Sequence, residues 1–170
     1  ITSGFFTKRD DVHLINGYLV TRMAESTLHG AICEMIRLAI EAFLLATWHT
    51  RSEKGLRIPA QISMPRPDLA IVRDVPRDYL ARYPEPADTA LVVEVSNTSL
   101  DEDRAMAAIY GAGGIPVYWI VNLVDGQVEV YSNPGPSGYQ THEVLAPGHV
   151  LHVKLDGVEI GEIPVADILP

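Results

Sequence analysis

The chain has 170 residues, a formal net charge of −9, 47% hydrophobic residues and 21% charged residues. That length suits one domain with room for a real core, and the composition is ordinary for a globular protein. No apolar stretch approaches the ~20 residues that span a bilayer, and the charge excludes a broadly basic, nonspecific nucleic-acid binder. The opening Ile-Thr-Ser-Gly-Phe-Phe lacks an initiator Met and the basic region and long apolar core of a secretory signal, so a cytoplasmic location and no membrane association are expected.

The charge is unevenly distributed. Residues 1–104 hold 12 Lys and Arg against 15 acids, whereas residues 105–170 hold only Lys154 against seven acids. Any polyanion contact is therefore expected in the first two-thirds, where Arg66, Arg73, Arg77, Arg82 and Arg104 either surround two carboxylates taken up below or are solvated loop residues. Cys33 is the only cysteine, so no internal disulfide can form. It lies in an apolar helical pattern and reads as a small core residue.

The first expected element is a β-hairpin over Val12–Met23, centred on Asn16-Gly17, a pair suited to the positive φ angles of a type I′ turn. A helix follows over Glu25–Thr47, capped by Ser26 or Thr27, with Leu28, Ile32, Met35, Ile36, Ala39, Phe43 and Leu44 at helical spacing. Apolar residues circle much of it, which predicts burial nearly all round. Gly55 and Pro59 precede a hairpin-like pair, Ile58–Met64 and Asp68–Val72, linked by Pro65-Arg66-Pro67. Arg73–Thr89 reads as a loop with one helical turn near Arg77–Tyr83. Leu91–Val95 is a continuous β-branched run and predicts a central strand covered on both faces. A helix over Asp101–Ala112 ends at Gly113-Gly114. Strands follow at Val117–Asn122, Gln127–Ser132, Tyr139–Leu145, Val150–Leu155 and Val158–Ile160, with Asn133–Gly138 as a loop. Interleaved strands and helices predict a mixed sheet.

Two carboxylates stand out. Glu94 lies inside Leu91-Val92-Val93-Glu94-Val95, and Asp68 opens Leu69-Ala70-Ile71-Val72 just after Arg66-Pro67. Desolvating a lone carboxylate costs several kcal/mol, so such groups are paired, protonated or metal-bound. If the two strands are neighbours, both acids converge at one sheet edge and, with the carbonyl of Val95, make a Mg²⁺ site. Spacing alone weighs that reading evenly against an ion pair, for instance of Glu94 with Arg66 or Arg104.

Pro67-Asp68 before an apolar strand, then Leu91 to Leu100, Asp103-Arg104, Tyr110 and Gly114 to Val121 together resemble the Uma2 family. These are restriction-endonuclease-like proteins of the PD-(D/E)XK nuclease superfamily, common in bacteria. The likeness extends upstream through Leu14 to Val20 and His29, and downstream through Val128–Tyr131 and Val165 to Leu169. It implies an α/β, restriction-endonuclease-like mixed β-sheet flanked by helices, residues 1–170 forming one such domain. It further implies Asp68 and Glu94 as catalytic carboxylates that bind Mg²⁺ or Mn²⁺ with the Val95 carbonyl, and hydrolysis of phosphodiester bonds in DNA, with a homodimer by analogy. Four positions depart from the pattern: Val117 stands where the family often has glutamate, Asn122 where it often has aspartate, and both places for a lysine lack one. The superfamily lysine two residues after the glutamate is Ser96, and the family's alternative place, four residues before Tyr110, is Met106. Methionine neither donates a hydrogen bond nor offsets charge, so transition-state stabilisation of order a few kcal/mol is at stake. Arg104 is the candidate stand-in, as an electrostatic clamp on phosphate. The competing reading is a catalytically degenerate nuclease fold that binds a partner through the same cleft.

The other candidates are weaker. The six histidines show no HxH or HExxH arrangement. His29 is expected to satisfy a backbone group at the helix start, with lining the site as the alternative. Glu34 and Glu41 read as a solvated helix face. Gly111, Gly113 and Gly114 follow a helix, not a strand, and so form a C-cap instead of a phosphate loop. Of Tyr118 and Trp119, one is expected in the core and the other at a subunit contact.

Overall fold

The structure is a computed structural model and describes residues 12–21 and 26–170. Asn16 and Gly17, with φ of 49° and 81°, make the expected turn between β1 (Val12–Ile15) and β2 (Tyr18–Thr21). The part of the expected hairpin at positions 22–23 lies outside the described residues, as does Glu25.

Helix α1 spans Thr27–Glu41, and the Ser26 hydroxyl caps it by accepting the His29 backbone N–H at 3.2 Å. It ends six residues before the expected Thr47. After Ile40 the chain tightens, with the Phe43 N–H bonding the Ile40 carbonyl, and Trp48–Arg51 is drawn into an edge strand, β3. Burial all round is also corrected. Ile32, Ile36 and Ile40 are buried on one face, while Leu38 is 56% exposed on another. Glu34 and Glu41 both bond Arg37 at the surface, as a solvated face requires.

The expected strand at Ile58–Met64 does not form. Pro59, which has no N–H to offer a ladder, opens a short 3₁₀ turn instead, and Ile62 follows at φ 47°. Strand β4 (Leu69–Arg73) pairs with β3 in its place. The proline-rich stretch beyond it holds two 3₁₀ turns, Pro76–Tyr79 and Pro86–Asp88. Strand β5 (Thr89–Ser96) is buried along its length, and α2 (Leu100–Gly113) ends on Gly114 at φ 89°. The remaining strands are β6 (Val117–Asn122), β7 (Gln127–Gly135), β8 (Gly138–Leu145), β9 (Val150–Leu155) and β10 (Val158–Pro164). The expected loop at 133–138 is mostly strand, because β7 and β8 stay paired down to Gly135 and Gly138.

Six strands form one sheet in the order β3-β4-β5-β6-β7-β8. Only β5 and β6 run parallel, and α2 is the crossover between them. Side chains alternate across the sheet, so each face has its own core. Leu69, Ile71, Leu91, Val93, Val95, Trp119 and Val121 meet α1 and the β9–β10 hairpin on one face. Ala70, Val72, Val92, Tyr118 and Ile120 meet α2 on the other. Tyr118 and Trp119 are therefore both core residues, on opposite faces, and neither is left for a subunit contact. Among the described residues no helix is long and apolar enough to cross a membrane.

Candidate active site

Leu69 faces Val93 in the antiparallel β4–β5 ladder, so Asp68 comes to lie beside Glu94. The Asp68 backbone N–H donates to Glu94 Oε2 at 3.1 Å, and both side chains are buried, at 2% and 7% exposure. The neighbouring backbone holds Asp68 in turn, since the Val95 N–H donates to Asp68 Oδ2 at 2.7 Å. In an extended strand a residue's N–H and C=O point the same way, so the Val95 carbonyl also faces the β4 side of β5.

Two helices hold the acids from outside the sheet. His29 Nε2 of α1 lies 2.9 Å from Asp68 Oδ2. An ionised carboxylate only accepts, so the ring presents Nε2–H to it. The ring thus reaches Asp68, correcting the expectation that it would satisfy backbone; that task falls to Ser26. From α2, the Tyr110 hydroxyl donates to Glu94 Oε1 at 2.9 Å. Burial and then the Glu94 charge push the Tyr110 phenol well above its ordinary range, which keeps the donating proton in place.

Arg104 stands elsewhere. Glu94, Ile120 and Glu129 form one row across β5, β6 and β7, which puts the two acids about 10 Å apart at their Cα atoms. Tyr110 and Arg104, six residues apart on α2, each reach one of them. The Arg104 guanidinium bonds Glu129 Oε1 at 2.6 Å, and the Asn122 amide and Tyr131 hydroxyl donate to the same carboxylate at 3.1 and 2.8 Å. Burial alone would raise the Glu129 carboxyl, but the bonds from Arg104, Tyr131 and Asn122 together outweigh it and hold the group below its ordinary value. The ion-pair alternative for Arg104 is thus realised with an acid that sequence reasoning did not single out. In the alternation Gln127-Val128-Glu129-Val130-Tyr131 a glutamate reads as the solvent face of a strand, and only the cover of α2 makes it internal.

The expected ring of arginines is dispersed as well. Arg73 pairs with Asp156 and lies over Trp48, and Arg82 pairs with Asp88 and lies over Tyr79. Of the two positions where a lysine was missed, Met106 packs against the α2-side core. Ser96 points to the Glu94 face, and its hydroxyl is buried with no hydrogen-bond partner among the described residues.

The donor set fits a hard divalent cation. Two buried carboxylates on adjoining strands, and a carbonyl directed to the same side, offer oxygen alone, as Mg²⁺ and Mn²⁺ prefer.

Known proteins share this arrangement of chain. One crystal structure, described as a putative nuclease belonging to DUF820 from Anabaena variabilis, is similar with a TM-score of 0.73 at 15% identity. The match covers 92% of this chain and 88% of that one, which shows a nuclease-like fold. No curated protein matches. The model of the Uma2 family, described as "Putative restriction endonuclease", matches residues 6–165, and the chain belongs to that family.

Proposed function

We propose that this protein is a divalent-metal-dependent nuclease that hydrolyses phosphodiester bonds in DNA, with Mg²⁺ or Mn²⁺ held by Asp68, Glu94 and the Val95 carbonyl. The observation that carries the reading is the direct bond from the Asp68 N–H to Glu94 Oε2, which sets two buried acids side by side. A bound cation of this class polarises a phosphodiester and lowers the pKa of a coordinated water. The protein's own groups keep the acids aimed: Tyr110 fixes Glu94, while His29 and the Val95 N–H fix Asp68. Ser96, on the same face and with acceptor and donor capacity to offer, is placed to orient a water there. Arg104, whose charge is met by Glu129, is partly exposed and stands apart from the metal instead of clamping a phosphate on it. By analogy with the superfamily, a homodimer would set two sites against two strands.

A second reading has its own support. Met106 is packed into core and Arg104 is engaged by Glu129, so neither supplies the superfamily's lysine, and the fold would then serve as a binding or regulatory module.

Nicking of supercoiled plasmid in Mg²⁺ and Mn²⁺ separates the two. The nuclease reading expects cleavage that falls at least about 100-fold in Glu94→Ala, and a gain in Ser96→Lys or Met106→Lys. Divalent binding without cleavage in any of these proteins favours the module. Loss of neither binding nor cleavage in Glu94→Ala overturns the assignment of the site.

A further inference from the structure

On the α1 side of Asp68 stands a different set of donors. His29 and Cys33 are one helical turn apart, so their side chains lie one above the other on the same face. Cys33 Sγ is 3.6 Å from His29 Nδ1 and 4.0 Å from Nε2, and Nε2 is 2.9 Å from Asp68 Oδ2. One ligand atom from each of the three residues falls within 4.8 Å of the others. We propose that His29, Cys33 and Asp68 form a second divalent-metal site, selective for a thiophilic ion of the Zn²⁺ class, which shares Asp68 with the carboxylate pair.

Distances decide whether the set can close on an ion. Zn²⁺ binds thiolate sulfur at about 2.3 Å and imidazole nitrogen or carboxylate oxygen at about 2.0–2.2 Å. At tetrahedral angles these radii put neighbouring ligand atoms about 3.3–3.6 Å apart. The Nε2–Oδ2 contact must open by about 0.4 Å, and Cys33 Sγ, which stands over the ring face almost as close to Nδ1 as to Nε2, must swing to another χ1 rotamer to reach the Nε2 lone-pair side. His29 is almost fully buried and Cys33 half-buried, so the ion would be shielded from competing water on the α1 side. Binding would release the Nε2 proton now donated to Asp68 and the Cys33 thiol proton to solvent, and three protein ligands leave a fourth position for water.

Chemistry gives the selectivity. Thiolate and imidazole favour Zn²⁺, Co²⁺ or Cd²⁺ over Mg²⁺, whereas Asp68 with Glu94 and the Val95 carbonyl favours Mg²⁺ or Mn²⁺. Because Asp68 belongs to both sets and its Oδ2 already accepts the Val95 N–H, the two ions compete for one carboxylate. A thiophilic ion would therefore displace the hard cation. The site itself stands without the nuclease reading; only that competition rests on it.

Co²⁺ is the probe, added to the 170-residue chain and followed by absorbance. Thiolate ligation is expected to give a near-ultraviolet charge-transfer band that disappears in Cys33→Ser and persists in Glu159→Gln, a change in the exposed His152, Glu159 and Glu162 cluster. In calorimetry, Zn²⁺ binding should lose one site, or weaken at least about tenfold, in Cys33→Ser. Weak binding at the exposed His152, Glu159 and Glu162 cluster should be the same in both proteins. Circular dichroism checks that the near-isosteric serine variant is folded. A Co²⁺ spectrum with no thiolate band, a band that survives Cys33→Ser, or one lost in Glu159→Gln overturns the proposal. Because the spectrum requires no cleavage, it can succeed where plasmid nicking fails, and Zn²⁺ inhibition relieved by Cys33→Ser would link the two sites.

Discussion

At the residue scale, the molecule contains two buried acids of different character in one row of the sheet. Glu94 receives neutral donors, the Tyr110 hydroxyl and a backbone N–H, while Glu129 is neutralised by the Arg104 guanidinium. An arginine partner cancels charge and makes Glu129 a structural group. Its carboxyl is held below its ordinary value of 4.5, so its stabilising contribution is fully present above that pH and is lost as pH falls through the lower folded value. Glu129→Gln is therefore expected to cost about 1–3 kcal/mol near neutral pH, and the difference from wild type should shrink between about pH 5 and pH 3. Thermal unfolding across that range measures it; a difference that grows on acidification would contradict the assignment. The sequence displayed Glu94 because its neighbours are all apolar. It hid Glu129, since a polar residue in an alternating strand is the ordinary pattern for a solvent face.

At the element scale, α2 is fixed by contact with the β7–β8 hairpin as much as by its own sequence. A Cβ on Gly111 would stand 2.6 Å from both the Gly138 carbonyl carbon and the Tyr139 nitrogen, atoms of backbone that cannot rotate away. Gly111→Ala should gain helix propensity yet lose about 1–3 kcal/mol through overpacking, with α2 pushed off the sheet. Since Tyr110 and Arg104 are both on that helix, denaturant unfolding and divalent affinity should fall together; unchanged stability would mean that the helix does not sit against Gly138. The sequence marked Gly111 as part of a helix end, and the C-cap is indeed there, at Gly114. The close approach of a hairpin 27 residues later left no local trace. The same holds for β3. Trp48–Arg51 lies just past the expected end of the helix at Thr47, and pairing with β4 makes it a strand.

At the scale of the whole molecule, the sheet separates a core that is apolar under the β9–β10 hairpin from one that carries the polar row. The face under α1 and the β9–β10 hairpin holds Leu151, Val153 and Ile163, all buried, and the opposite face holds Glu94, Ser96, Asn122 and Glu129. Leu151→Ala should therefore destabilise by about 2–5 kcal/mol while leaving Mn²⁺ affinity at Asp68 and Glu94 within about twofold of wild type under folding conditions. Calorimetric titration alongside urea unfolding tests that division, and a parallel loss of metal affinity would show the two faces to be coupled.

Some of this was determined by the sequence alone. The Asn16-Gly17 turn, the Leu91–Val95 central strand, the second helix with its glycine stop, the strand at Val117–Asn122 and the prominence of Asp68 and Glu94 as acids among apolar residues all follow from local signals. Turn chemistry, β-branched runs and a carboxylate among apolar neighbours each act over a few residues, so a linear reading captures them. Tertiary structure alone decided the rest: the edge strand at Trp48–Arg51, the placing of Asp68 beside Glu94, the partner of Arg104, the burial of Glu129, and the turn of His29 toward Asp68 with Cys33 beside it. Each of these depends on groups far apart in the chain brought within a hydrogen bond of each other. Their energies are set by desolvation under the covering helices, which no local pattern encodes.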